Sequence, residues 1–240
     1  MAFPWTDAVL RKRIALAVGW YWQVRASQSS KQQASGEADA GLRREVTGGQ
    51  HMDGFADLVT EIVVAAGFKL EEIRLKSKVE LPGYYRSTKK WDLVVTRNGR
   101  LCCALELKSQ AGPSFGNNFN NRTEEALGTS VDFWKAFEKG LVGTSQPWLG
   151  YLFLLEDCTG SSKGVRVAST PFKTDPVFAT ASYAVRYQIL CERMVLERHY
   201  SAATLLLCKR NGAAGYTEPN DRLSFMPFAR ALYGHLVGCS

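Results

Sequence analysis

The chain has 240 residues, 45% hydrophobic and 22% charged, the balance of an ordinary folded protein with room for one good-sized core. Lys and Arg outnumber Asp and Glu by 30 to 23, a formal charge of +7, which favours an anionic partner such as nucleic acid. No apolar stretch reaches the roughly 18 residues of a membrane span. The opening MAFPWTDAVLRKRIALAVGW is broken by Arg11-Lys12-Arg13 and ends in no small-residue cleavage site, so neither membrane insertion nor export is expected and a cytoplasmic location is. Cys102, Cys103, Cys158, Cys191, Cys208 and Cys239 contain no Cys-x-x-Cys pair, and four of the six lie in apolar runs. They read as small buried hydrophobes in a reducing compartment, which argues against a zinc site.

Taken in chain order, residues 5–25 space Val9, Leu10, Ala15, Leu16, Val18 and Trp20 as a helix does, with Thr6 or Asp7 available as a cap. Residues of about 26–50 are rich in Ser, Gln and Gly and read as a polar loop, either mobile or ordered by a ligand. A second helix follows over 51–68, with Phe55, Leu58, Val59, Ile62 and Val63 on one side and Gly67 as its stop. IRLKSKVELPG and KKWDLVVTRNGRLCCALELKSQ alternate like strands, PSFGNNFNNR over 113–122 reads as a loop, and 123–139 as a helix. WLGYLFLLED is a buried strand, 180–198 a long helix, ATLLLCKR a strand, and SFMPFARALYGHLV a closing helix. The expected fold class is α/β, a mixed central sheet flanked by helices on both faces, in one domain over 1–240.

Asn98-Gly99 between two alternating apolar runs is a strong hairpin signal. Trp91, Leu93 and Val95 would share one face of the first strand, and Leu101, Cys103, Leu105 and Leu107 one face of the second. Asp92 then falls with Val94, and Cys102, Ala104, Glu106 and Lys108 fall together. A tight two-residue loop would pair Asp92 with Leu105. A three-residue loop with a bulged glycine, or a later bulge, pairs Asp92 with Glu106, and that register is preferred because it makes the apolar faces coincide. Two adjacent carboxylates repel unless a hard divalent cation lies between them. Magnesium suits that place, held by Asp92, Glu106 and the Leu107 carbonyl, with Lys108 orienting or helping to deprotonate the attacking water. A solvent-facing Glu-Lys ion pair is the plainer alternative.

Asp92 followed after thirteen residues by Glu106-Leu107-Lys108 resembles the PD-(D/E)xK nuclease motif, with Trp91 where a proline is often found. ALELKSQAGPSFGNNFNNRTEEALG and YYRSTKKWDLVV resemble more specifically the XhoI-type restriction endonucleases, over most of the chain. The resemblance implies a restriction-endonuclease-like core and a Type II endonuclease that cuts both strands of a palindromic duplex, CTCGAG in that group, with magnesium and a 5′ overhang. It also implies a homodimer matching the two-fold site and a cognate methyltransferase in the same host. Such nucleases often take a further acid from the helix before the sheet, and Glu61 is the candidate, with Asp57 one turn earlier. A junction resolvase, a nicking repair enzyme or a non-catalytic DNA-binding protein on the same core are the competing readings.

For DNA contact the candidates are Asn117, Asn118, Asn120, Asn121 and Arg122, since Asn amides read adenine or bond phosphates and Arg pairs with phosphate or guanine. The same residues also suit an ordinary turn. YYRSTKK (84–90) and the 161–175 segment, Lys173 included, add basic loop residues. His51, His199 and His235 have no metal spacing and read as structural.

Overall fold

A computed structural model describes residues 2–35, 50–210 and 215–239. Its centre is a six-stranded sheet in the order β1 (Ile73–Leu75), β4 (Leu93–Arg97), β5 (Arg100–Gln110), β6 (Trp148–Glu156), β7 (Ala202–Cys208), β8 (Tyr216–Thr217). β5, β6 and β7 run parallel to one another, while β1, β4 and β8 pair antiparallel with their neighbours. Parallel neighbours need a crossover, and helices α3 (Phe115–Glu138) and α4 (Tyr183–Leu196) supply the two. β2 (Glu80–Pro82) and β3 (Thr88–Lys90) form a separate two-stranded ladder.

All nine residues of β6 are buried, as expected of a strand covered on both faces. Its alternate residues feed two cores. Leu149, Tyr151, Phe153 and Leu155 pack with Phe133 of α3 and with Tyr187 and Met194 of α4. Leu152 and Leu154 pack under α1 (Asp7–Ser35), α2 (Asp53–Ala65) and α5 (Phe225–Val237). The expected mixed sheet with helices on both faces is what the chain forms.

Three elements depart from the sequence expectation. The first helix runs to Ser35, so the first ten residues of the expected 26–50 loop are helical, while 36–49 lie outside the described residues. Its core face is Leu10, Ile14, Ala17, Val18 and Tyr21, and Val9, Leu16 and Trp20 are exposed. Apolar residues occur nearly all round this helix, so spacing alone does not choose a face; packing on Phe55 and Val59 of α2 does. The second departure is 113–122, most of which is the first turns of α3 rather than a loop. Phe115 and Phe119, then Ala126 and Phe133, fall at helical spacing against the second core, and that burial outweighs the weak helix propensity of Asn and Gly.

The third concerns the hairpin. Arg97 pairs with Arg100, so Asn98-Gly99 is a two-residue turn with φ of 52° and 75°, as a primed turn requires. The register then slips by one residue at Cys102, where Thr96 faces Leu101 and Val95 faces Cys103. This later bulge sends Leu101 to one core and both Cys102 and Cys103 to the other, so Leu101 does not share the face of Cys103 and Leu105. The four cysteines of apolar runs are buried and all six are free thiols.

Candidate active site

β5 carries the acidic and basic residues of interest out of the core. Leu105 is fully buried, Glu106 is 2% exposed, and Lys108 emerges at the strand's C-terminal half. Pairing with β4 ends at Leu93 opposite Leu105, and the Asp92 N–H returns to the same Leu105 carbonyl at 3.2 Å. The later bulge thus gives the expected register, with Asp92 next in line opposite Glu106, although the ladder ends at Leu93 and the Asp92 N–H bends back to Leu105. Trp91 turns to the opposite core from Leu93 and Val95. The expected shared face of Trp91, Leu93 and Val95 is broken by this irregularity, a second disturbance that alternation does not reveal.

What brings the acids together is Lys108. Its ammonium bonds Glu106 Oε2 and lies 3.4 Å from Asp92 Oδ2, which also accepts the Leu107 N–H at 2.8 Å. A second ammonium, Lys89 of β3, donates to Glu106 Oε1 at 2.5 Å. Burial would raise the Glu106 carboxyl, but Lys108 and Lys89 more than offset it and hold the group below its ordinary value. Asp92 goes the other way: burial, opposed by Lys108 and assisted by Glu106, raises its carboxyl. Burial works against the Lys108 charge, yet Glu106 and Asp92 raise its pKa. A buried carboxylate engaged at both oxygens by cations is stable only as a closed charge cluster.

The donor set suits a hard cation. Both carboxylates reach the Lys108 ammonium, and an extended strand sends a residue's N–H and C=O to the same side, so the Leu107 carbonyl faces the Asp92 side. Among the described residues no three His, Cys, Asp or Glu side chains group as a metal site. Two carboxylates and a carbonyl are nevertheless what magnesium takes from a protein when water and phosphate complete its shell.

Asp92, Leu107 and Lys108 border a groove of about 1380 Å³ that also takes in Arg25, Lys90 and Arg122. Glu106 and Lys108 help line an adjoining hollow of about 600 Å³. Of the residues expected to touch DNA, Asn117, Asn118 and Arg122 line the groove. Asn120 and Asn121 are exposed on α3 and line neither space, and Lys173 lies in an exposed segment that also lines neither. Glu61 does not reach the site. It is half exposed and paired with Arg13 of α1, whereas Asp57, one turn earlier, borders the groove. The helix does present an acid to the site, but one turn nearer its N-terminus.

His199 and His235 are structural, 3.0 Å from Ser130 Oγ and the Cys102 carbonyl oxygen respectively. His51 is different, for it lies in the groove with Nε2 3.1 Å from Ser109 Oγ. Burial first, and Arg25 next, draw its pKa down to about 4. The sequence does not single out Arg25, gives Lys89 only as one basic residue of the 84–90 segment, and reads His51 as structural. Each arrives from an element whose docking is set by distant pairing, so no local spacing marks it.

A family model described as restriction endonuclease XhoI matches residues 31–218. The chain is 49% identical over 213 residues to the Type II restriction enzyme BstVI of Geobacillus stearothermophilus, covering 85% of this chain and 95% of that protein. It is 42% identical over 185 residues to the Type II restriction enzyme XhoI of Xanthomonas vasicola, 76% of this chain and 74% of that one. With the Type II restriction enzyme AbrI of Azospirillum brasilense it shares 50% over 145 residues, 60% of this chain and 65% of the other. No solved structure matches the chain.

Proposed function

Given that the chain belongs to the XhoI restriction endonuclease family and is a Type II restriction enzyme that cuts DNA at a specific site, we propose that Asp92, Glu106 and Lys108 are its catalytic residues. The observation that carries this is the Lys108 ammonium joined to both Glu106 and Asp92, with Lys108 and Asp92 bordering a groove that Arg25, Lys90 and Arg122 also line. Asp92, Glu106 and the Leu107 carbonyl hold magnesium, which when bound supplies positive charge at the phosphate under attack. Lys108 orients the attacking water and hydrogen-bonds a phosphate oxygen. Asp57 stands at the groove edge in the place expected of Glu61. Arg122, Asn117 and Asn118 contact the duplex, Arg122 through phosphate or guanine and the asparagines through base edges or backbone.

Cutting both strands of a palindrome calls for two such sites related by a two-fold axis, so the active species is a homodimer. The family resemblance points to CTCGAG and a 5′ overhang. The enzyme works in the cytoplasm, where a methyltransferase of matching specificity protects the host's own sites.

Plasmid DNA incubated with the protein and magnesium, followed by sequencing of the ends, tests the whole reading. The expected result is one sequence at every end, and no cleavage once the metal is chelated. Asp92→Ala and Glu106→Gln should each lower the cleavage rate by about 10³-fold or more while the duplex still binds, because each removes a metal ligand and little core volume. Near wild-type cutting by either variant would remove that residue from the chemistry.

A further inference from the structure

Building on the reading that this site binds duplex DNA, we propose that the arm Gly83–Lys90 is a wall of the active-site cleft that grips the sugar-phosphate backbone. Asp132 is the positioning residue that sets the arm. The arm contains the Tyr84-Tyr85-Arg86 tip, residues that look in the sequence like ordinary solvated loop.

The tip is held with unusual care for a surface turn. β2 and β3 are three residues each and mostly exposed, and so small a ladder is marginal alone in water. Asp132, in the last third of α3 and only 4% exposed, fixes it. Its Oδ1 accepts the N–H groups of Tyr84 and Tyr85, both at 2.7 Å, and its Oδ2 accepts Arg86 Nε at 2.7 Å. Gly83 makes this approach possible, since a Cβ there would sit 2.6 Å from Asp132 Oδ2. The next residue of α3, Phe133, packs edge-on against Trp91 at the arm's base, 5.4 Å between centroids. One helix therefore anchors both ends of the arm.

The anchored tip displays groups that a core has no use for. Tyr85 is 69% exposed and Tyr84 45%, their rings edge-to-face at 4.9 Å. Arg86 spends one nitrogen on Asp132 and keeps 43% of its side chain exposed. A rigid pair of aromatic rings with hydroxyls beside a guanidinium suits a phosphate and the sugar next to it. The position agrees. Tyr85, Arg86 and Lys89 line the smaller hollow together with Arg122, Glu106 and Lys108. Lys89 ties the arm directly to the Glu106 carboxylate, so a strand approaching Glu106 from this side passes along the arm.

The test uses the full-length protein and a duplex carrying the sequence read from its own digest. Binding is measured with calcium in place of magnesium, and KM and kcat with magnesium. Tyr85→Ala, at an exposed position that leaves folding alone, should bind about tenfold more weakly, the scale of one lost hydrogen-bonded contact to the backbone. KM should rise and kcat stay near wild type. Asp132→Asn should act in the same direction, and the double variant should bind no more weakly than Asp132→Asn by itself, because the ring is already displaced. If Asp132→Asn does not fold, Gly83→Ala displaces the tip by another route and takes its place in the cycle. Wild-type affinity in Tyr85→Ala overturns the arm's contact with DNA, and strictly additive effects overturn the positioning role. A wild-type protein that neither binds nor cuts duplex would instead defeat the underlying reading of the site.

Discussion

Two hairpins meet at this site and are held by opposite means. In β4 and β5 both faces are buried: Leu93, Val95, Cys103 and Leu105 enter one core, Val94 and Ala104 the other. Burial of this kind is spread over many side chains and worth about 25 cal/mol per Å² removed from water. In β2 and β3 almost nothing is buried, and a single carboxylate 46 residues or more along the chain fixes the tip through three hydrogen bonds. The first hairpin is part of the cooperative core and supplies the rigid floor for Glu106 and Lys108. The second is a local fixture whose exposed residues are free to meet a ligand. The residues proposed for chemistry sit on the first; the proposed contact surface sits on the second.

The comparison breaks most severely where the first hairpin loses core volume. Leu105→Ala, at a fully buried position, should cost about 2 to 5 kcal/mol of global stability by the loss of apolar burial plus the cavity left behind. Denaturant unfolding would report it as a lower midpoint with the slope unchanged. A cost below about 1 kcal/mol would mean that β5 is less well packed than its burial indicates.

Removing the charge that pins the second hairpin should do less and act locally. Asp132→Asn keeps the shape but removes the charge and one of the two acceptor oxygens, leaving an NH2 group facing a donor, a loss of about 1 to 3 kcal/mol. Part of that loss should appear as local opening. Hydrogen exchange at the Tyr84 and Tyr85 amides should quicken markedly while amides of β5 keep their protection. Uniform acceleration through both hairpins would show that the arm belongs to the global unit after all.

The same contrast explains what the sequence disclosed. β6, β7 and α2 were legible because burial imprints a pattern on consecutive residues: Phe55, Leu58, Val59, Ile62 and Val63 are the buried residues of α2. Asp92, Glu106 and Lys108 were legible as a set because residue type, spacing and the later-bulge register together bring them to one place, although the Lys108 ammonium lying between the two acids was not. The place of the bulge at Cys102 and the bend of the Asp92 N–H back to Leu105 follow from packing on both faces, which alternation does not encode. Glu61 was preferred to Asp57 since both lie on one stripe of α2 and only the helix's position along the sheet distinguishes them. The Asn-rich start of α3 read as loop because its residues favour turns, whereas the four-residue spacing of Phe115 and Phe119 carried the true signal. Asp132 left no trace at all, being one acid in a helix whose partners lie in a distant turn.

The smallest effect, and the sharpest use of the comparison, lies in the two glycines. Gly99 has φ of +75° and open space where a Cβ would go. Gly99→Ala should therefore cost only the backbone strain of the left-handed conformation, about 1 to 2 kcal/mol. Gly99→Asn should recover much of it, since Asn tolerates that region. Gly83 needs no positive φ but has no room, its Cβ meeting Asp132 Oδ2 and the Arg86 carbonyl oxygen below 3 Å. There Asn should be worse than Ala, because added bulk deepens the clash. The order of Ala and Asn thus reverses between the hairpins, read from unfolding midpoints at position 99 and from exchange of the Tyr84 and Tyr85 amides at position 83. The turn at Gly99 lies at the far end of its hairpin from Asp92, so cleavage by Gly99→Ala should stay near wild type, while Gly83→Ala should bind DNA more weakly. The same order at both positions would mean that one kind of constraint, and not two, governs these turns.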